Sequence, residues 1–243
     1  MYPKPSAELL PNTYAFESSP MVKATGFREY DARWLFEKEI NLMGVQALGL
    51  GLGTLLREMG VKPELATGHD FRSYSASIKY ALVTGLMAAG VKVHDIGLCL
   101  SPMAYFAQFE LDVPAVAMVT ASHNDNGWTG VKMGVQRPVT FGPDEMGRLS
   151  DIVLKAKGQT RPGGGYVYVD NFPARYFGDL TNRAPIKRKL KVVAACGNGT
   201  AGAFAPQILE KLGCEVIPLD VELDYNFPRY NPNPEDMEML HAI

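Results

Sequence analysis

The chain has 243 residues, 47% of them apolar and 21% charged, ordinary values for a globular protein and a length that calls for one large or two smaller domains. Its 24 Lys+Arg against 26 Asp+Glu leave a formal net charge of −2, which gives no electrostatic ground for binding nucleic acid or an acidic membrane surface. Cys99, Cys196 and Cys214 are odd in number, widely spaced and without metal-ligand spacing, so they read as reduced core thiols of a cytoplasmic protein.

Residues 1–26, with Pro3, Pro5, Glu8 and Pro11, lack the basic-then-apolar pattern of a signal peptide and read as a loose extension. Phe27-Arg28-Glu29-Tyr30-Asp31-Ala32-Arg33 then makes an unusually polar start to a domain. Arginines flanking a tyrosine suit anion recognition, because guanidinium bonds phosphate in pairs; alone, the segment equally fits a solvated turn. Glu37 to Met59 carries Ile40, Val45, Leu48, Leu52, Leu55 and Met59 at near-helical spacing, with Gly60 to end it and Pro63 to forbid resumption. Gly49, Gly51 and Gly53 inside it each cost on the order of 1 kcal/mol relative to alanine, which implies close packing on a neighbour or a loop-facing edge. The apolar stretch Ala47 to Leu56 is well short of the roughly 18 residues of a membrane helix.

Glu64 to Gly68 reads as a strand, Ser75 to Ala89 as a helix ended by Gly90, Val91 to Ile96 as a strand and Pro102 to Phe109 as a short helix. Ala115 to Val119 is a buried strand, and Pro143 to Lys157 a further helix. The glycine-rich run from Gly158 to Gly165 is the clearest linker. Beyond it come a helix over Pro173 to Asn182, a strand over Leu190 to Ala195, a helix over Ala201 to Leu212, a strand over Cys214 to Leu219 and an amphipathic segment from Asp236 to His241. Alternating strands and helices predict a layered α/β/α domain with a mixed sheet, over residues 27–157. A linker over 158–170 and the start of a second similar α/β domain over 171–243 follow, the latter too short for a typical sheet domain.

After the strand Ala115 to Val119 the sequence turns polar at Thr120-Ala121-Ser122-His123-Asn124, which puts a serine hydroxyl on an exposed loop as a candidate covalent carrier. Gly68-His69-Asp70-Phe71-Arg72 ends another strand, where α/β folds place ligands, and Asp70 and Arg72 read as braces for the serine loop. His94 reads as structural. Gly49-Leu50-Gly51-Leu52-Gly53 is not a dinucleotide loop, since its glycines lie within a helical pattern. Cys196-Gly197-Asn198-Gly199-Thr200-Ala201-Gly202 could hold an anion on its amides or serve as a tight packing turn; with no lysine following, packing is favoured.

Taken in order, these segments resemble the α-D-phosphohexomutase family, in its bacterial phosphomannomutase/phosphoglucomutase branch. The pieces are Phe27 to Arg33, Gly68 to Arg72, His94-Asp95-Ile96-Gly97 leading to Ser101-Pro102, Thr120 to Asn124 with Gly130 and Lys132, Cys196 to Gly202, and Asn231-Pro232-Asn233-Pro234-Glu235. The resemblance implies that Ser122 carries a phosphoryl group, passing it to a hexose 1-phosphate to give a bound 1,6-bisphosphate before the other phosphate returns. It implies catalytic roles for Lys132 and Arg33 at the reacting hydroxyl and for His123 in shaping the loop, with Asn124 and Tyr30 at the substrate. It implies Mg²⁺ on the Ser122 phosphate and a glucose or mannose phosphate as substrate, with neither nucleic acid nor membrane as partner.

Three residues depart from the family pattern: Asp125 stands for a proline, Thr129 for an asparagine and Trp34 for a glycine. The family's Asp-Gly-Asp-x-Asp-Arg metal loop is not in this sequence, so the chain is expected to be an N-terminal portion that cannot complete the mutase cycle alone. Two other functions compete. A serine hydrolase would pair Ser122 with His123, but adjacent residues rarely take up nucleophile–base geometry and no Gly-x-Ser-x-Gly elbow is present. A non-catalytic phosphosugar-binding or scaffold fragment is the remaining alternative.

Overall fold

The computed structural model describes residues 2–183, 186–231 and 233–243. Of the expected features, Met1 in the N-terminal stretch, Ala184 and Pro185 in the second domain, and Pro232 in the Asn231–Glu235 motif lie outside the described residues. In chain order the regular elements are α1 (Tyr14–Ser18), β1 (Ala32–Leu35), α2 (Leu42–Glu58), β2 (Glu64–His69), α3 (Ser75–Ala88), β3 (Lys92–Leu98), α4 (Ser101–Glu110) and β4 (Ala115–Val119). They continue with β5 (Trp128–Val135), β6 (Val139–Thr140), α5 (Pro143–Leu154), β7 (Gly165–Tyr168), α6 (Phe172–Arg183), β8 (Lys191–Ala195), α7 (Ala205–Lys211), β9 (Glu215–Leu219) and α8 (Met237–Ala242).

The main sheet runs β1-β5-β4-β2-β3-β7, with β6 beside β5. The β2, β3, β4 and β7 pairings are parallel, and β5 runs antiparallel to β1, β4 and β6. Side chains alternate faces along each strand. Ala115, Ala117 and Val119 therefore pack with Leu48, Leu82 and Leu149 of α2, α3 and α5. Val116 and Met118 pack with Met103 and Ala107 of α4 and Phe172 and Phe177 of α6. Both faces of β4 are covered, which is why its sequence is an unbroken apolar run. The mixed sheet between two helical layers is the expected architecture.

The glycines of α2 are explained by the α2–α3 crossing. A Cβ on Gly49 would stand 2.2 Å from the Leu82 carbonyl oxygen, and one on Gly85 would stand 2.0 Å from that of Gln46. The helices thus touch backbone to backbone. Gly85→Ala is expected to lower unfolding free energy by about 1–3 kcal/mol in urea titration, despite the helix-propensity gain of about 1 kcal/mol that alanine brings at an exposed site.

Several expected boundaries shift. The N-terminal stretch is not loose: Met21 and Val22 are fully buried, and Asn41 staples the segment down. Its Oδ1 accepts from Met21 N and Gly44 N, both at 2.8 Å, while its Nδ2 donates to the Phe16 and Ser19 carbonyls. That same side chain caps α2, so the helix starts at Leu42 rather than Glu37, whose φ of 65° belongs to a turn. The helix expected from Ala201 is split into a short 3-10 turn, Thr200–Ala203, and α7. Pro206 explains the break: it fits a helix's first turn and cannot sit in an interior. The expected linker over 158–170 is part of the sheet, since Tyr166, Val167 and Tyr168 make β7 along β3.

Beyond α6 the parallel pair β8–β9 forms its own small sheet. The second unit meets the first through aromatic contacts, with Phe106 packed on Phe172 and Tyr176 at centroid distances of 6.0 and 5.4 Å. Phe177 meets Phe204 at 6.3 Å. No helix among the described residues is long and apolar enough to cross a membrane.

Candidate active site

β2 and β4 lie side by side and parallel, so the loops leaving their carboxyl ends, Asp70 to Tyr74 and Thr120 to Gly127, emerge together. This is where α/β sheets present ligand-binding groups. Ser122 is exposed at the tip of the second loop with φ 56°, a left-handed conformation costing roughly 1–2 kcal/mol for a residue with a Cβ. The turn is closed by Ser122 N donating to Thr120 Oγ1 at 3.0 Å and Asn124 N donating to the Ala121 carbonyl at 3.1 Å.

The first loop grips the second. Asp70 Oδ2 accepts from Ala121 N at 3.2 Å, and its Oδ1 accepts from Arg72 N at 3.2 Å and from the Ser75 hydroxyl. Arg72 pairs with Asp70 and donates through its other terminal nitrogen to the Asn124 carbonyl at 2.6 Å and the Ser122 carbonyl at 3.4 Å. Asp70 and Arg72 are each only 3% exposed, so these charge-assisted bonds act with little competition from water. The pair braces the serine loop, as expected.

Arg33 approaches from β1, whose register sets it opposite Gly130 on β5. One terminal nitrogen donates to the Ala121 carbonyl and Asn124 Oδ1; the other pairs with Asp31. At 5% exposure this guanidinium is a buried strut beneath the serine loop. Lys132, on β5 opposite Met118, is more open at 29%, with Nζ 3.9 Å from Asp31 Oδ2. Asp31 therefore sits between the two cations. Asn124 joins this group through Arg33, while its backbone takes the Arg72 bond.

His123 is exposed, and its Nδ1 is 3.4 Å from Ser122 Oγ. That separation is long for nucleophile–base contact, which works at about 2.6–3.2 Å. Tyr30 is exposed, and the structure does not bring it into this hydrogen-bonded group; the Glu29 carboxylate beside it holds its phenol above the ordinary value.

Sequence reasoning gave no role to Asp31, Thr120, Ser75 or Tyr74. Tyr74 accepts from Gly127 N at 2.7 Å and donates to the Trp128 carbonyl at 2.9 Å, closing the far end of the loop, and burial pushes its phenol pKa up. A threonine two residues before a loop serine, and an aspartate two before a strand arginine, were available as local signals. Ser75 and Tyr74 gave none, because they reach the loop only through the fold.

Two of the departures from the family pattern, Trp34 and Thr129, stand opposite each other in the β1–β5 register. Trp34 is core: its Nε1 donates to the Lys23 carbonyl at 2.8 Å and its ring meets Phe27 edge-on. Asp125 is exposed, and its carbonyl accepts from Trp128 N at 3.3 Å.

His69 ends β2 beside this network, its Nδ1 2.7 Å from the Asp70 carbonyl. Burial lowers its pKa below 6.5, outweighing that contact; burial, with Lys92 nearby, lowers His94 as well. A depressed histidine leaves the unfolded chain binding more protons, so stability rises with pH in this window. Urea midpoints are expected to fall as pH drops below about 6.5, and a His69→Asn, His94→Asn double variant should flatten that slope.

Among the described residues, no three His, Cys, Asp or Glu side chains come together as a metal site. Ser122 would supply one oxygen through a phosphate. The described residues therefore do not by themselves fit a Mg²⁺ ion, which holds octahedral oxygen ligation.

Comparisons with known proteins place the chain by family and fold. Residues 24–160 match the family model described as "Phosphoglucomutase/phosphomannomutase, alpha/beta/alpha domain I", and residues 168–243 match the corresponding domain II. A phosphomannomutase/phosphoglucomutase of Pseudomonas syringae pv. tomato is 34% identical over 225 residues, covering 93% of this chain and 48% of the relative. Its Pseudomonas putida counterpart is 35% identical, covering 89% and 46%. A crystal structure of a phosphoglucomutase/phosphomannomutase family protein from Burkholderia thailandensis superposes with a TM-score of 0.85 at 30% identity, covering 92% of this chain and 50% of that one. The chain spans about half the length of the curated relatives it matches.

Proposed function

The chain belongs to the phosphoglucomutase/phosphomannomutase family, and we propose that it supplies the phosphoserine half of a phosphohexomutase, with Ser122 as the carrier. One observation supports this above the others: an exposed serine, at the end of a buried strand, on a loop whose carbonyls are held by two buried arginines. A phosphoryl group arriving from a hexose 1,6-bisphosphate would form a P–O bond to Ser122 Oγ as the P–O bond to the sugar breaks. The serine proton leaves and the sugar oxygen is protonated. Lys132, half-open and near the loop, is suited to steady the phosphoryl oxygens and to move a proton at the reacting hydroxyl. Arg33 fixes the loop from beneath, His123 shapes its outer edge, and Asn124 and Tyr30 would meet the sugar phosphate.

Mg²⁺ enters the reading as the cofactor the family resemblance implies; the described residues hold no cluster of three ligands for it beside the Ser122 phosphate. The reading includes glucose or mannose phosphate as substrate and a cytoplasmic setting, with residues 27–157 together with β7 as the phosphoserine domain and the chain beyond β7 as part of a second domain.

The test is to incubate the chain with glucose 1,6-bisphosphate and locate any added phosphoryl by intact and fragment mass. Label on Ser122 is the expected result. Unlabelled protein, or a serine that reacts with a fluorophosphonate, would overturn it in favour of a binding fragment or a hydrolase. Lys132→Met is expected to slow labelling about 10²-fold with the urea midpoint unchanged.

A further inference from the structure

The segment after β9 reaches back to the serine loop, and the contact runs through an aromatic ring. Asn198 organises that segment. Its backbone N donates to the Asp220 carbonyl at 2.7 Å, its Nδ2 to the Glu222 carbonyl at 2.9 Å, and its own carbonyl accepts from Asp224 N at 3.0 Å. Gly202 packs against the same segment so closely that a Cβ would stand 2.0 Å from the Val221 carbonyl oxygen. The glycine turn is thus a packing device, as favoured from sequence, and what it packs is a presenting loop. The Asp224 carbonyl then accepts from Phe227 N at 3.0 Å, and Phe227 has φ 49°. A bulky residue takes that conformation only where its surroundings impose it.

The Phe227 ring lies 6.0 Å from that of Phe71, edge-on, and 5.8 Å from the Arg72 guanidinium carbon. Arg72 is the residue that holds the Ser122 and Asn124 carbonyls. Its Nε is buried without a hydrogen-bond partner among the described residues, so the ring is a further restraint on a group not fully held by hydrogen bonds. Two weaker contacts run alongside: Phe71 N to Thr200 Oγ1 and Asn231 Nδ2 to the His123 carbonyl, both 3.4 Å.

We propose that Phe227 is a positioning residue for the serine loop, its ring steadying the Arg72 guanidinium so that the second unit sets the pose in which Ser122 is presented. The consequence for transfer rests on Ser122 being the phosphoryl carrier; the loop restraint does not. The path runs from Asn198 through Asp224 and Phe227 to Arg72, and so joins a motif of the second unit to the reactive loop of the first. Guanidinium over an aromatic face is attractive through the ring's quadrupole, an interaction an aliphatic side chain of similar volume lacks.

Amide hydrogen exchange on the full chain tests this with Phe227→Leu and Phe227→Tyr. Exchange of the Ala121–Trp128 amides is read as a ratio to the core amides of β4, so that a general loss of stability cancels. Phe227→Leu is expected to speed loop exchange by about three- to tenfold and to slow Ser122 labelling by a similar factor, while Phe227→Tyr stays near wild type in both. Equal loop ratios in the leucine variant and wild type, or equal acceleration in the leucine and tyrosine variants, would overturn the proposal. If no protein takes up phosphoryl while the exchange difference holds, the restraint stands and the carrier reading fails.

Discussion

Replacing Ser122 by alanine is expected to abolish phosphoryl uptake from glucose 1,6-bisphosphate, with no other residue taking its place. A phosphomonoester forms only where a nucleophilic oxygen, a positioned cation and a proton path meet. The neighbouring groups cannot substitute. Thr120 is buried, and its hydroxyl already accepts from Ser122 N. The Ser75 hydroxyl is committed to Asp70. The substitution should leave the fold intact, because the loop is held through the Ala121 amide and the Ala121, Ser122 and Asn124 carbonyls rather than through Ser122 Oγ. A unchanged urea midpoint together with zero label is therefore the expected pair of results. Label surviving in the alanine variant would place the carrier elsewhere.

Asp70→Ala should give the largest loss of stability of any single change at the site, about 3–5 kcal/mol. Asp70 is buried, it neutralises an equally buried Arg72, and it accepts from the Ala121 amide, the Arg72 amide and the Ser75 hydroxyl. Removing it leaves a guanidinium charge uncompensated in the interior and strands three donors. Urea unfolding measures the loss, and loop exchange localises it, with the Ala121 amide losing its acceptor outright. Asp70→Asn keeps one acceptor oxygen, turns the other into an N–H donor and loses the charge, so it should fall between alanine and wild type. A loss below about 1 kcal/mol for alanine would mean that water replaces the carboxylate and that the pair is not a brace.

What was legible in the sequence divides by range. β4 and α3 could be read because their signals are local: an apolar run of strand length, and a helical stretch stopped by Gly90. The serine loop was legible because a polar, glycine-bearing sequence directly follows a buried strand. β1 and β5 were not, since Arg33, Thr129, Gly130 and Lys132 interrupt their apolar patterns. Arg33 holds the serine loop from beneath and Lys132 lies near Asp31, so two of the residues that break the strand patterns are ones that face the loop. β7 was hidden for another reason: its short β-forming run follows a glycine-rich stretch and pairs with β3 from the sheet's edge.

By itself the sequence determined the α/β alternation and the family, and it singled out Ser122 as the proposed carrier, because each rests on residue type and short spacing. Only the tertiary structure decided that Arg33 is a buried strut while Lys132 stays open, that Asp31 lies between them, and that Phe227 reaches Arg72. Those roles depend on burial and on contacts between residues far apart in the chain, and both are created only when the strands pair and the second unit packs.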